Sequence, residues 1–247
     1  TLFRWRRIMR KRFLVFQHMD WEGPGVHLVR SARNLGVNLE VIQVWHQVIP
    51  DLAPYAGLIV LGGSPNVDQE KQYPFLLAEK AAIREALATD KPYLGFCLGH
   101  QLLGDVLGMR VGPNPKRSVG FIQGHLTDRG RQHPLFQNLP NSFPLFKWHA
   151  QAVLAPVPEY VDVLVTSPDC EVEAFSLKGS PHVAGLQFDN HAASRQDVTS
   201  WLEGDRDWLS QMLEVDPSGV LANAVAHEAH IGEHFELFFG NYLNLNF

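Results

Sequence analysis

Apolar and polar positions along the first half of the chain switch repeatedly between strand and helix periods. Phe13 to Gln17 is a short, mostly apolar run that predicts a strand. After Pro24, Leu28, Ala32 and Leu35 recur at helical spacing until Gly36, a residue suited to a helix end. Val37 to Trp45 alternates, and Gly57 to Leu61 is apolar throughout and stops at Gly62 and Gly63, so two further strands are expected. Leu76, Ile83 and Leu87 mark a helix over 74–88, and Tyr93 to Phe96 predicts a fourth strand. The next helix carries Leu98, Leu102 and Val106, with Leu103 and Leu107 beside them, up to Gly108. Strand and helix in this alternation build a parallel sheet with crossover helices. Beyond Val111 the pattern turns β-rich, over 119–127, 145–153, 161–166, 172–177 and 183–188, and from Ser194 onward it reads as helices.

Composition narrows this picture without redirecting it. In 247 residues, 45% hydrophobic and 19% charged, one α/β domain with a helical tail is the economical reading. The expected division is a basic N-terminal extension over 1–12, a main domain over 13–203 and a helical C-terminal extension over 204–247 packed on the same domain. A net charge of -5 argues against nucleic acid as a partner. No stretch spans a membrane, and the apolar run after the basic start is too short for a signal-peptide core, so a cytoplasmic location is expected. The two cysteines, Cys97 and Cys170, make neither a disulfide framework nor a metal site by themselves.

The chemistry concentrates where the fourth strand meets its helix. Gly95 to Gly99 reads GxCxG, the cysteine analogue of a strained elbow that lifts a nucleophile above a sheet. Small flanking residues suit so tight a turn, and the unpaired N–H groups of a helix start favour a thiolate. An acyl-transfer cysteine also needs oxyanion donors, which the Leu98 N–H and the glycines after the third strand, Gly62 and Gly63 beside Ser64, are placed to supply. A buried packing cysteine and a plain glycine turn would leave the same short pattern.

The longer string carries more. GFCLGHQ at 95–101, continuing LLGDVLG, resembles the nucleophile motif of class I glutamine amidotransferases, particularly stand-alone proteins similar to the GMP synthase amidotransferase domain. GGS at 62–64, WHAQ at 148–151 and GLQF at 185–188 extend the resemblance over roughly residues 13 to 200, in the family's order. It implies a flavodoxin-like, mostly parallel central sheet flanked by helices. It also implies glutamine amide hydrolysis through a Cys97 thioester, with Gly63 and Leu98 as oxyanion donors and Gln101, His149, Gln151 and Gly62 at the substrate. No cofactor or metal is expected. The ammonia acceptor would be a separate synthase chain, or water.

Three positions depart from the family pattern. Where it continues the GLQF-like strand with His-Pro-Glu, this chain has Asp189, Asn190 and His191. If the strand stays extended, 189 and 191 share one side, and His191 is expected to reach Cys97 with Asp189 orienting it. Against this, two residues of strand are about 7 Å, far more than acid–base geometry tolerates. Gln151 replaces a common Asp, weakening any pairing with an α-ammonium, and Ser118 replaces a common Glu. Two other readings therefore accompany the thioester chemistry. One is a catalytically silent or repurposed binding protein on the same fold; the other is a γ-glutamyl compound hydrolase with the same nucleophile. A cysteine-based redox protein is a more distant third.

HxxEH at 230–234 spells an inverted zinc-protease signature, but Ile231, Phe235 and Phe238 mark the packed face of an amphipathic helix, which is the expectation here. His18, His125 and His182 stand in no recognisable constellation and are expected to be structural or surface residues.

Overall fold

The computed structural model describes residues 11–245, apart from the Arg117 side chain. The basic extension expected over 1–12 lies, up to residue 10, outside the described residues. The chain opens with β1 (Arg12–Gln17), α1 (Val26–Asn34), β2 (Asn38–Gln43), β3 (Gly57–Val60), α2 (Phe75–Ala88), β4 (Tyr93–Phe96) and α3 (Leu98–Val106). It continues through β5 (Val111–Leu126), α4 (Asp128–Gln132), β6 (Ser142–Val153), β7 (Val161–Ser167), β8 (Cys170–Leu177) and β9 (Ser180–Leu186). It ends in α5 (Arg195–Gly204), α6 (Arg206–Leu209) and α7 (Pro217–Leu243).

All these strands join one sheet in the order β2-β1-β3-β4-β9-β8-β7-β5-β6. β1 to β4 and β9 run parallel, whereas β5 to β8 pair antiparallel, and β8 joins the two halves through an antiparallel pairing with β9. β3 (GLIV) and β4 (YLGF) are buried along their whole length, as parallel strands covered on both faces must be. Side chains alternate across the sheet: Phe13 and Val15 enter a core with Phe96, Phe235, Phe239 and Tyr242, while Leu14 and Phe16 enter another with Ile83, Leu98 and Leu102. α7 thus covers one face of the parallel half and α2 with α3 the other. α7 begins at Pro217 behind an Asp216 N-cap that accepts from the Ser218 N–H.

Two expectations changed. β5 begins at Val111, earlier than its apolar pattern indicated, because residues 111–113 pair with β6 across a bulge before the main register resumes at Ser118. The last parallel strand ends at Leu186, and residues 190–192 form a 3-10 turn instead of extending the strand.

Candidate active site

Four adjacent parallel strands point their carboxyl ends at one place, where open α/β sheets bind ligands. Beyond β1 lie His18 and Glu22, beyond β3 Gly62 and Gly63, at the end of β4 Cys97, and beyond β9 Gln187 and Asp189.

Cys97 holds φ 45° and ψ −102°, a left-handed backbone that a residue with a side chain rarely adopts and that stores about 1–3 kcal/mol of strain. Its neighbours explain the GxCxG spacing. A Cβ on Gly99 would overlap the Val60 carbonyl oxygen, and one on Gly95 would overlap the Gly99 backbone. Strand and helix therefore meet at a distance that only glycine permits. The turn is held by the Cys97 N–H donating to Leu186 (2.8 Å) and the Gln101 N–H donating to the Cys97 carbonyl (3.0 Å).

The thiol sits among polar groups. The Leu98 N–H is directed at Sγ, the Gln187 side-chain amide lies 3.5 Å from it, and the Trp148 carbonyl 3.9 Å. Gln101 in turn donates to Gln187 Oε1 (3.1 Å) and to the Gln151 carbonyl (2.9 Å), linking the elbow to β6. Cys97 opens on a cavity of about 180 Å³, whose lining includes Gly63, Gln101, His149, Gln151, Glu22 and Asp205. His149 fixes Nδ1 on the Gln151 carbonyl (2.8 Å) and leaves Nε2 buried without a partner among the described residues.

Asp189 and His191 are arranged differently from an extended strand. The Asp189 N–H donates to Phe146 (2.8 Å), and Asn190 clamps the turn to β6 by accepting from the Phe146 N–H (2.8 Å) and donating to Pro144 (3.0 Å). These bonds bend the chain, so the same-side argument for 189 and 191 does not hold. Asp189 Oδ1 and the Cys97 Cβ both crowd Gly62, 3.5 and 3.4 Å from where a Cβ there would lie. His191 lies deeper, its ring 4.3 Å from that of Phe96 and Nδ1 4.0 Å from Asp189 Oδ1; it does not line the cavity. The charge of Asp189 acts on the thiol, and neither Asp189 nor His191 lines the cavity.

Electrostatics follow from burial among acids. Burial, then the charges of Asp189 and Glu22, push the Cys97 thiol well above its ordinary pKa, against smaller opposing effects of Lys147 and the Leu98 N–H. The helix start does not by itself yield a resting thiolate. Burial raises Asp189 well above the usual carboxylate range, and burial with the neighbouring Asp205 and Asp189 does the same to Glu22. Burial, with a smaller effect of His27, lowers His191 to about 3, so its ring is neutral at pH 7. Among the described residues no three His, Cys, Asp or Glu side chains converge as a metal site, and the His230 and His234 rings meet tilted on α7, 3.9 Å apart.

Sequence reading did not single out Glu22, Asp205 or Trp148 as cavity residues. Glu22 follows β1 in a loop with no motif. Asp205 lies at the junction of two short helices and is tied to the site by accepting from the Trp148 indole N–H (2.8 Å), a partner 57 residues away. Gln187 was visible inside GLQF without a role attached.

Comparison with known proteins agrees with this architecture. The profile of the glutamine amidotransferase class-I family matches residues 26–203. GMP synthase [glutamine-hydrolyzing] of Aeropyrum pernix is 33% identical over 194 residues, 78% of this chain, which spans 35% of that protein's length. A GMP synthase [glutamine-hydrolyzing] subunit of Methanocaldococcus jannaschii is 28% identical over 179 residues, 69% of this chain and 84% of its own. Among solved structures, a glutamine amidotransferase from Thermotoga maritima superposes with a TM-score of 0.85 at 24% identity, covering 95% of this chain and 99% of its own. With the family profile running from α1 through the elbow to the turn after β9, the chain belongs to the class I glutamine amidotransferase family.

Proposed function

We propose that the protein hydrolyses the side-chain amide of glutamine, or the equivalent amide of a γ-glutamyl compound, through a Cys97 thioester. The observation that carries this reading is the elbow itself: a strained cysteine facing a cavity, with a helix-start N–H at its sulfur and a glycine pair beside it. Sγ adds to the amide carbon, and its proton passes to the Asp189 carboxylate. The Gly63 and Leu98 N–H groups hold the oxyanion. Collapse breaks the C–N bond, the proton returns to nitrogen, and ammonia leaves. Water then adds to the thioester, gives its proton to Asp189, and the acid departs as the thiol is restored. His191, neutral behind Asp189, positions that carboxylate, so base and positioning residue keep the family's places at 189 and 191 while the residue types are exchanged. Gln101, Gln151 and His149 hold the substrate, whereas Gly62, expected there, does not line the cavity and gives its carbonyl to His18. The match to a GMP synthase subunit over most of that subunit's length supports a separate synthase chain as the ammonia acceptor.

One observation favours a second reading, ligand binding without turnover: the charges of Asp189 and Glu22 disfavour ionisation of the buried thiol. Ammonia release from glutamine and from γ-glutamyl amides separates the two. Wild type should release ammonia and show a glutamyl adduct by intact mass. Cys97→Ser should fall to background, Asp189→Ala should lose about 10²–10⁴-fold in turnover, and His191→Ala less. A wild type that binds glutamine calorimetrically but gives neither adduct nor ammonia would establish the binding reading.

A further inference from the structure

His18, at the end of β1, uses both ring nitrogens in a site closed to solvent. Nδ1 lies 2.7 Å from the Gly62 carbonyl oxygen and Nε2 lies 2.8 Å from Glu79 Oε1 on α2, with both side chains 0% exposed. A carbonyl only accepts, so Nδ1 carries a proton. A second proton then lies between Nε2 and Oε1, making the pair an imidazolium with a carboxylate or its proton-transferred equivalent. Burial works to lower the His18 pKa, but the Glu79 charge, its hydrogen bond and the Gly62 carbonyl outweigh it and leave the value raised.

The consequence lies in the Gly62–Gly63 peptide. In a trans peptide the C=O and the following N–H point in opposite directions. Drawing the Gly62 carbonyl onto His18 therefore turns the Gly63 N–H away from the imidazole, and Gly63 lines the Cys97 cavity. Among the described residues that N–H has no acceptor. Its neighbourhood admits only glycine, since a Cβ on Gly63 would fall 2.6 Å from the His18 Cβ. A cationic donor on a carbonyl also polarises the peptide and strengthens its N–H as a donor.

We infer that the buried His18–Glu79 pair is a positioning unit that aims and polarises the Gly62–Gly63 peptide, making the Gly63 N–H an oxyanion donor. The inference rests on the amide-hydrolase reading for its catalytic consequence, but not for its geometry. Neither residue touches the substrate cavity, so the pair acts on the rate of acyl transfer and leaves ground-state binding alone.

The test uses His18→Ala, His18→Asn and Glu79→Gln, with kcat, KM, thermal melting and ¹⁵N spectra of the ring and of the Gly63 amide. His18→Ala should lose about 10²–10³-fold in kcat, with KM changed by less than about twofold. His18→Asn keeps a neutral donor on the Gly62 carbonyl and should recover about tenfold of that loss. In wild type both ring nitrogens should be protonated at pH 7, and the Gly63 amide proton should move upfield in Glu79→Gln and His18→Asn. A folded His18→Ala or His18→Asn with wild-type kcat would overturn the inference, as would a singly protonated ring together with a Gly63 amide that no variant moves. Should wild type release no ammonia, the hydrolase reading fails by itself and the ring and amide spectra decide the His18 inference. If His18→Ala does not fold, the two near-isosteric variants give the same decision.

Discussion

Asp189 is fully buried, and among the described residues neither of its oxygens has a hydrogen-bonding partner. After burial, its charge is the largest influence holding the Cys97 thiol protonated. A neutral amide in its place removes that repulsion and leaves the elbow intact. Asp189→Asn should therefore shift the pH midpoint of Cys97 alkylation by iodoacetamide downward while abolishing turnover, because the proton acceptor is gone. Peptide mapping separates this from Cys170, a buried thiol pushed up to about 11. An unchanged alkylation profile would show that Asp189 does not face the sulfur. More reactive yet inactive is an unusual pairing for a nucleophile, and it distinguishes an electrostatic partner from a packing residue.

Lys147 on β6 and Glu173 on β8 form a buried ion pair between strands that are not neighbours in the sheet, and Ser167 on β7 donates to the same carboxylate at 2.5 Å. With the Asn190 clamp, this pair brings the antiparallel edge back over the carboxyl end of β9. Lys147→Met strands a carboxylate in the core and should cost about 3–5 kcal/mol in urea denaturation. Adding Glu173→Leu should recover most of that loss. Lys147→Met should also raise the Cys97 thiol further, since Lys147 opposes that shift. A single variant as stable as wild type would mean the pair contributes nothing beyond its volume. Contacts of this range also mark the limit of sequence reading. The buried parallel strands were legible because continuous apolar runs such as GLIV and YLGF require cover on both faces. GxCxG, GGS and WHAQ pointed to Cys97, Gly63, Gln101, His149 and Gln151, which share one cavity. The bend at 189–192 was not legible, because Asn190 takes its partners from Phe146 and Pro144 on another strand. Nor was the His18–Glu79 pair, whose members stand 61 residues apart in a loop and a helix with no shared motif.

The whole molecule encloses titratable groups of two opposing kinds, and its stability should record both. His27 is lowered to about 4 by burial and by Arg30, His100 to about 3 mainly by burial, and His191 to about 3. Between those values and the ordinary 6.5 the unfolded chain binds more protons, so their contribution is present above pH 6.5 and is lost as pH falls toward 3–4. Each such imidazole steepens the acid limb by about 1.4 kcal/mol per pH unit within its window. Glu22 and Asp189 have the opposite sign. Their folded pKa values lie well above the ordinary 4.5 and 3.8, so the folded state holds protons that the unfolded chain has released. Their contribution is present below about pH 4 and is lost as pH rises through the raised values. The chain therefore keeps, next to its nucleophile, two acids whose ionisation weakens the fold that positions them. Urea midpoints of wild type and the Glu22→Gln, Asp189→Asn double variant, taken from pH 4.5 to 8.5, resolve the two sets. The variant's advantage should be smallest at pH 4.5 and grow with pH until both carboxylates are ionised in the folded wild type, then level off. The acid limb set by the imidazoles should be steeper in the variant, because nothing in it compensates the histidines between pH 4.5 and 6.5. An advantage that does not change with pH would mean that both carboxylates ionise in the folded protein as they do in the unfolded chain, and that burial does not raise them.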